Sequence, residues 1–227
     1  MVVKVFKNMG KDQRGTVILM AVLLVSILLI MAGVATDLAR AWVAREDLQA
    51  AIEAASLAGA RNAKRYVTVT VEPGHKECST DEDGHTSCWC VSEPIVDRSG
   101  NEVHMIDEDG WRHNECDNYL GIRKRWLEYP NDTAEIMQGV FDVNRPSLLE
   151  EDGEITSERI KINDSASDEA YPSVTVRAGG SVNTFLLKLA GIDELEFNRC
   201  SQSASYYDKI VEGKIYGWER PEDDCKE

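Results

Sequence analysis

An uncharged run from Thr16 to Thr36 constrains this chain most, because the helical pattern does not stop where a membrane would end. It continues as DLARAWVAREDLQAAIEAASLAGA, an Ala-rich amphipathic stretch with no Pro before about Arg65. At roughly 1.5 Å per residue, about 50 residues make a rod of roughly 75 Å. About 30 Å of that rod suits the hydrocarbon core of a bilayer. Beyond the run, Leu38, Ala41, Trp42, Leu48, Ala51, Ile52 and Ala55 recur at three- and four-residue steps, which reads as one apolar helix face.

Charge suggests an orientation. Lys4, Lys7, Lys11 and Arg14 precede the run against a single acid, Asp12, and the whole chain carries a formal charge of −15. The positive-inside rule places the N-terminus in the cytoplasm and residues after about Asp37 outside, as a single-pass protein of the cell membrane. An acidic exterior argues against nucleic acid or anionic lipid as partners, and it keeps an outer domain soluble. A cleavable signal peptide has the same basic and apolar regions, and AGVAT offers a cut near Ala35. An apolar run of about 20 residues exceeds a usual signal core, so an uncleaved anchor is the expectation.

Beyond the helix the pattern turns to strands. RYVTVTVE alternates Tyr66, Thr68 and Thr70 against Val67, Val69 and Val71, a half-buried strand. CWCVSEPIVD and NEVHMID read as extended runs joined through RSG as a hairpin. DEDG occurs at Asp81–Gly84 and Asp107–Gly110, each time as turn chemistry. Asn118 to Gln138 reads as helix interrupted by Pro130, and Asp142 to Asp168 as acidic loop with one strand at Ile155–Ile162. A strand at Ser173–Ala178, a short helix at Thr184–Leu189 closed by Gly191, and a strand at Leu195–Ser205 complete the reading.

The expected fold class is therefore α+β: a long N-terminal transmembrane-plus-amphipathic helix, then a mainly antiparallel β-sheet domain with a Cys-rich insert. The segments are 1–15 cytoplasmic and basic, 16–36 transmembrane, 37–66 helix continuation, 67–154 Cys/His-containing insert, and 155–227 the C-terminal part of the same domain. About 160 residues outside the membrane suffice for one core.

All six cysteines follow the apolar run, and an even count outside the cytoplasm reads as disulfides. Cys200 with Cys225 would pin the acidic tail to the last strand. Cys78, Cys88, Cys90 and Cys116 would form two bridges, with three connectivities open. A direct Cys88–Cys90 bridge within a strand is sterically disfavoured. Each bridge contributes about 2–4 kcal/mol.

The same residues carry a second pattern. His75 and Cys78, His85 and Cys88, and His113 and Cys116 all read H-x-x-C, and imidazole and thiolate are the ligands zinc prefers. Metal-ligand pairs usually read C-x-x-C or H-x-x-x-H, and the outer compartment oxidises thiols. Disulfides with no cofactor are the expectation, and a tethered zinc module is the alternative. As calcium loops the DEDG segments fail, with Ser92 and Asn118 at the twelfth position. The sequons at Asn131 and Asn163 read as polar loops. Trp89, Trp111 and Trp126 read as core or strand-face packing. No G-x-S-x-G, H-E-x-x-H, phosphate loop or dinucleotide fingerprint occurs, so enzymatic activity is not expected.

Two patches carry a resemblance. The first combines Arg14-Gly15 before the apolar run, Gly33 and Asp37 at its outer edge, Arg40, the pair Leu48-Gln49, and the small-residue ending Ala54 to Ala60. The second is PSVTVRAGGSVNTFLLKLAGIDELEFNRCSQSAS, with an alternating Ser/Ala tail. Together they resemble the TadE/TadG-like proteins of tight-adherence (Flp) pilus assembly, over about a third of the chain; the segment from about Val67 to Glu154 is not covered.

The resemblance implies a pilin-like, membrane-anchored structural or assembly component. Its implied partners are the lipid bilayer and other pilus-assembly or pilin-like proteins. Helix–helix contacts would use Ala32, Gly33 and Ala35, and a homo-oligomer through the N-terminal helix is a further implication. A pilin-type cut after Gly15 would put Met20 where such precursors carry Glu. The chain thus leans toward the anchored TadG-like side rather than a processed filament subunit. No D-x-S-x-S adhesion motif is present, and an extracellular adhesin or recognition domain is the third reading.

Overall fold

A computed structural model describes residues 13–163, 172–205, 208–216 and 224–225. One uninterrupted helix, α1, spans Gln13–Asn62. It is long and apolar enough to cross a membrane, and no residue of its most apolar window is buried by protein. Farther along, Asp37, Ala44, Leu48, Ala51, Ile52, Ala55, Ser56 and Ala60 are buried. Small side chains dominate this stripe, which lets other backbone approach the helix closely.

The stripe corrects the expected apolar face at two positions. Leu38 is 53% and Trp42 65% exposed. At 3.6 residues per turn they lie about 100° and 140° round the helix from Asp37. The inward position at this level belongs to a carboxylate instead.

The remaining elements are β1 (Lys64–Glu72), β2 (Gly74–Thr80), β3 (Thr86–Ser92), β4 (Val96–Asn101), a π-helical turn (Val103–Asp107), β5 (Asn118–Glu128), α2 (Thr133–Val143), α3 (Ser147–Asp152), β6 (Gly153–Asn163), β7 (Ser173–Asn183), a 3-10 turn (Leu187–Ala190), β8 (Glu194–Ser203), β9 (Lys209–Val211) and β10 (Lys214–Tyr216). The class is α+β with antiparallel pairing and disulfides. The sheet orders are β10-β9-β5-β1-β4, β2-β3 and β6-β7-β8.

The chain divides into two compact units. One gathers α1 through Ala51, Asn144–Glu158 and Arg177–Arg199; the other gathers Ile52–Val143, Arg159–Val176 and residues from Cys200 onward. In the second, β1 lies between β4 (Tyr66↔Asn101) and β5 (Lys64↔Glu128), antiparallel to both. The strand alternation read from the sequence holds: Val67, Val69 and Val71 are buried, with Met105 and Trp111 packed against them. Trp126 stacks on Tyr66 with ring centroids 5.7 Å apart. Trp89, by contrast, is 47% exposed on the face of β3 and belongs to no core.

Local differences have local causes. RSG lies inside β4 instead of forming a hairpin turn, and NEVHMID contains the π-helical turn. A Cβ at Gly100 would meet Met105 Cγ at 2.8 Å, so the glycine is what allows Met105 to tuck against the strand. Asn118–Glu128 is strand rather than helix because it pairs along the length of β1, and pairing overrides local propensity. The helix expected across Pro130 is α2, beginning after it. The acidic segment expected as loop holds the end of α2, then α3 and β6, while residues 164–168 lie outside the described residues. A Cβ at Gly153 would lie 2.2 Å from the Ser181 carbonyl oxygen, so β6 starts at a residue without one.

Candidate functional site at the end of the apolar run

The two resembling patches meet at the segment Thr184–Asp193, between β7 and β8. Its ends are tied by the Thr184 N–H donating to the Asp193 carbonyl at 3.0 Å. Inside it, the N–H groups that open the 3-10 turn have no partner within the turn, as at any helix start. Asp37 supplies the acceptors from α1. Its Oδ1 accepts from Phe185 N–H at 3.1 Å, and its Oδ2 accepts from Leu186 N–H at 2.8 Å and Leu187 N–H at 2.9 Å. A charged acceptor makes each of these bonds stronger than a neutral one would.

Gly33 sits one turn before Asp37 on the same helix face. The Leu186 side chain rests on it so closely that a Cβ there would fall 1.6 Å from Leu186 Cδ1. One turn after Asp37, Arg40 donates from Nη2 to Asp152 Oδ2 at 2.6 Å. Its Cζ lies 4.7 Å from the Phe185 ring centroid, a cation–π contact. Asn183 Nδ2 donates to the Asp152 carbonyl at 3.0 Å, which anchors the other side of the same corner. Gly33, Asp37 and Arg40, at steps of four and three, thus form one docking edge for the segment. Beside it, Leu38, Ala41, Trp42 and Arg45 of α1 and Leu195–Asn198 of β8 line an open groove of about 430 Å³.

The small-residue ending of α1 meets the Ser/Ala tail in the second unit. Ser56 Oγ lies 2.9 Å from both Ser201 Oγ and Ser203 Oγ. Ser205 Oγ donates to the Ala60 carbonyl. Alternate residues share one face of an extended chain, so three serines at two-residue steps all address the helix.

The Cys/His insert is arranged differently. Cys78 bonds Cys88, Cys90 bonds Cys116 and Cys200 bonds Cys225, leaving no free cysteine. The H-x-x-C spacings therefore set no thiolate beside an imidazole. Among the described residues, no group of three or more His, Cys, Asp or Glu could hold a metal ion. His75 instead contacts Glu93 at 3.0 Å and Glu77 at 3.3 Å. Those carboxylates, Glu93 first, raise its pKa. His85 and His113 are exposed.

At the start of β2, the buried Asp117 accepts N–H groups from His113 at 2.8 Å and Gly74 at 3.2 Å, and Arg98 Nη1 at 3.0 Å. These donors, the His113 N–H foremost, outweigh burial and hold its carboxyl at about 2.

Comparison with known proteins bears on α1. Residues 15–62 match the TadE/G-like Flp pilus-assembly family. The TadE/G-like segment coincides with nearly the whole of α1 and ends where β1 is about to begin. Neither a curated protein nor a solved structure matches the chain. Within the TadE/G-like segment, Arg14 and Gly15 lie on the first turn of α1, with side chains outside the described residues. Leu48 is fully buried and Gln49 half-buried.

Of the three small residues read as a surface for neighbouring helices, Ala32 and Ala35 are exposed, whereas Gly33 is occupied by the chain's own Leu186. Sequence reasoning missed what Asp37 and Ser56 do. The only available signals were an acid directly after an uncharged run and a hydroxyl within a run of small apolar residues.

Proposed function

We propose that this protein is a non-enzymatic, membrane-anchored structural or assembly component of a Tad (Flp)-type pilus or a related surface apparatus. The observation that carries this reading is the coincidence of the family match at 15–62 with one continuous helix, apolar in its first half and tied to the chain's own β-segments in its second. The basic residues before the run favour a cytoplasmic N-terminus and an extracytoplasmic β-part, and three disulfides suit that compartment. The role needs no cofactor. Its partners are the bilayer and other pilus-assembly or pilin-like proteins.

Met20, where a pilin-type cut after Gly15 would call for Glu, favours an assembly factor over a filament subunit. The test is the intact mass of native protein, taken without reductant from membranes and from material sheared off cells. Chains retaining the residues before Gly15, found only in membranes, support the anchored component. Chains starting at Thr16 in sheared filaments would make the protein a filament subunit and overturn the assignment.

A further inference from the structure

The Thr184–Asp193 segment exposes an unusual amount of apolar surface for its length. Phe185 is 67%, Leu189 82% and Ile192 42% exposed. The segment is not free to choose its height along α1. Leu186 rests on Gly33, which lies inside the uncharged run, and Asp37 grips three successive backbone N–H groups just beyond the run. Gly33 is three residues short of Thr36, so the contact sits about 5 Å inside the end of the run. Amphipathic elements lying at a bilayer surface bury their apolar face about 5–10 Å into the headgroup–acyl boundary. The two depths agree.

We propose that this segment is a second membrane contact. Leu189 and Ile192 enter the leaflet nearest Thr36, Phe185 stays at its boundary under the Arg40 guanidinium, and the Gly33–Asp37 edge fixes their depth. The inference rests on reading α1 as membrane-spanning. Lipid is the occupant because Leu186, in the same segment, rests on Gly33 within the apolar run, the part of α1 that no protein buries. Two further features fit. Trp42, 65% exposed, stands one to two turns beyond the run, where aromatic belts lie. Lys188, exposed within the segment, pairs its charge with the exposed Asp193 at 3.7 Å, and both stay on the water side. The net acidity of the chain makes this an apolar contact rather than attraction to anionic headgroups.

The test uses the full chain, disulfides intact, in phosphatidylcholine nanodiscs. A nitroxide is placed at Leu189→Cys or, as a second site, Ile192→Cys. Val25→Cys serves as the reference in the apolar run and Glu135→Cys as the aqueous reference. Collision rates with oxygen and with a water-soluble nickel chelate report depth. The expected result is several-fold less nickel collision at 189 and 192 than at 135, with oxygen access approaching that at 25. Adding Asp37→Ala should return position 189 toward the aqueous value. Aqueous behaviour at 189 and 192 with a lipid-like 25 overturns the proposal and leaves the anchor intact; that is also the outcome if a protein partner covers the segment in cells. Aqueous behaviour at 25 as well would sink the spanning reading and this inference with it.

Discussion

Asp37 and Asp117 are both buried carboxylates that accept backbone N–H groups, and they fail in different ways. Asp37 serves three donors that water can partly reach once the segment lifts, so Asp37→Ala should weaken the docking of the segment on α1. The loss should be local, with faster amide exchange at Phe185, Leu186 and Leu187 and unchanged protection in β1; equal loss in both would refute a local lock. Asp117 is linked to pH. Its folded pKa of about 2 lies below the ordinary value near 3.9, so its contribution is fully present above about pH 4 and is lost as pH falls toward 2. Asp117→Asn should remove that acid-side slope and, by leaving Arg98 without its carboxylate, cost about 3–5 kcal/mol at pH 7. Denaturant midpoints read through Trp fluorescence at pH 7 and pH 3 check both effects. At this scale the sequence is half legible. Asp37 is conspicuous as the first acid after an uncharged run, but the N–H groups it holds lie 148 to 150 residues further on, and no local pattern encodes that distance.

Elements were legible where one periodicity acted alone. Val67, Val69 and Val71 alternate with Tyr66, Thr68 and Thr70, and the strand follows because only a period of two buries all three valines. The run Asn118–Glu128 has no such unique reading: its Leu, Arg and Lys content suits a helix, and only its register against β1 makes it a strand. Leu38 and Trp42 show the converse error, since a three- and four-residue spacing also describes a lipid-side or groove-lining stripe. The contact of α1 with the serine tail depends on size more than on pattern. Ser56→Ala should cost about 1 kcal/mol through the lost hydroxyl contacts to Ser201 and Ser203. Ser56→Leu adds volume where two strand residues already touch the helix and should cost about 1–3 kcal/mol. If the leucine variant unfolds at the same denaturant concentration as the alanine variant, the approach there is looser than the structure has it.

At the scale of the whole molecule, the N-terminal charges, the apolar run and the disulfides form one chain of dependence. In the proposed orientation, Lys4, Lys7, Lys11 and Arg14 bias which side of the membrane receives everything after Asp37. The receiving compartment decides whether Cys78, Cys88, Cys90, Cys116, Cys200 and Cys225 become disulfides. Changing the four basic residues to Glu should therefore alter chemistry far from the mutation. With the native sequence, a thiol-reactive polymer added to denatured, unreduced cell extract should modify no cysteine. With the reversed charges, a fraction of the chains should invert and present six reactive thiols in a reducing compartment, each adding a step on a gel. Protease added outside intact cells should cut the β-part of the native chain and spare that of the inverted fraction. If the charge-reversed chain still forms all three disulfides and stays sensitive to outside protease, the basic residues do not set the orientation, and the folding of the long acidic domain after Asp37 does so instead.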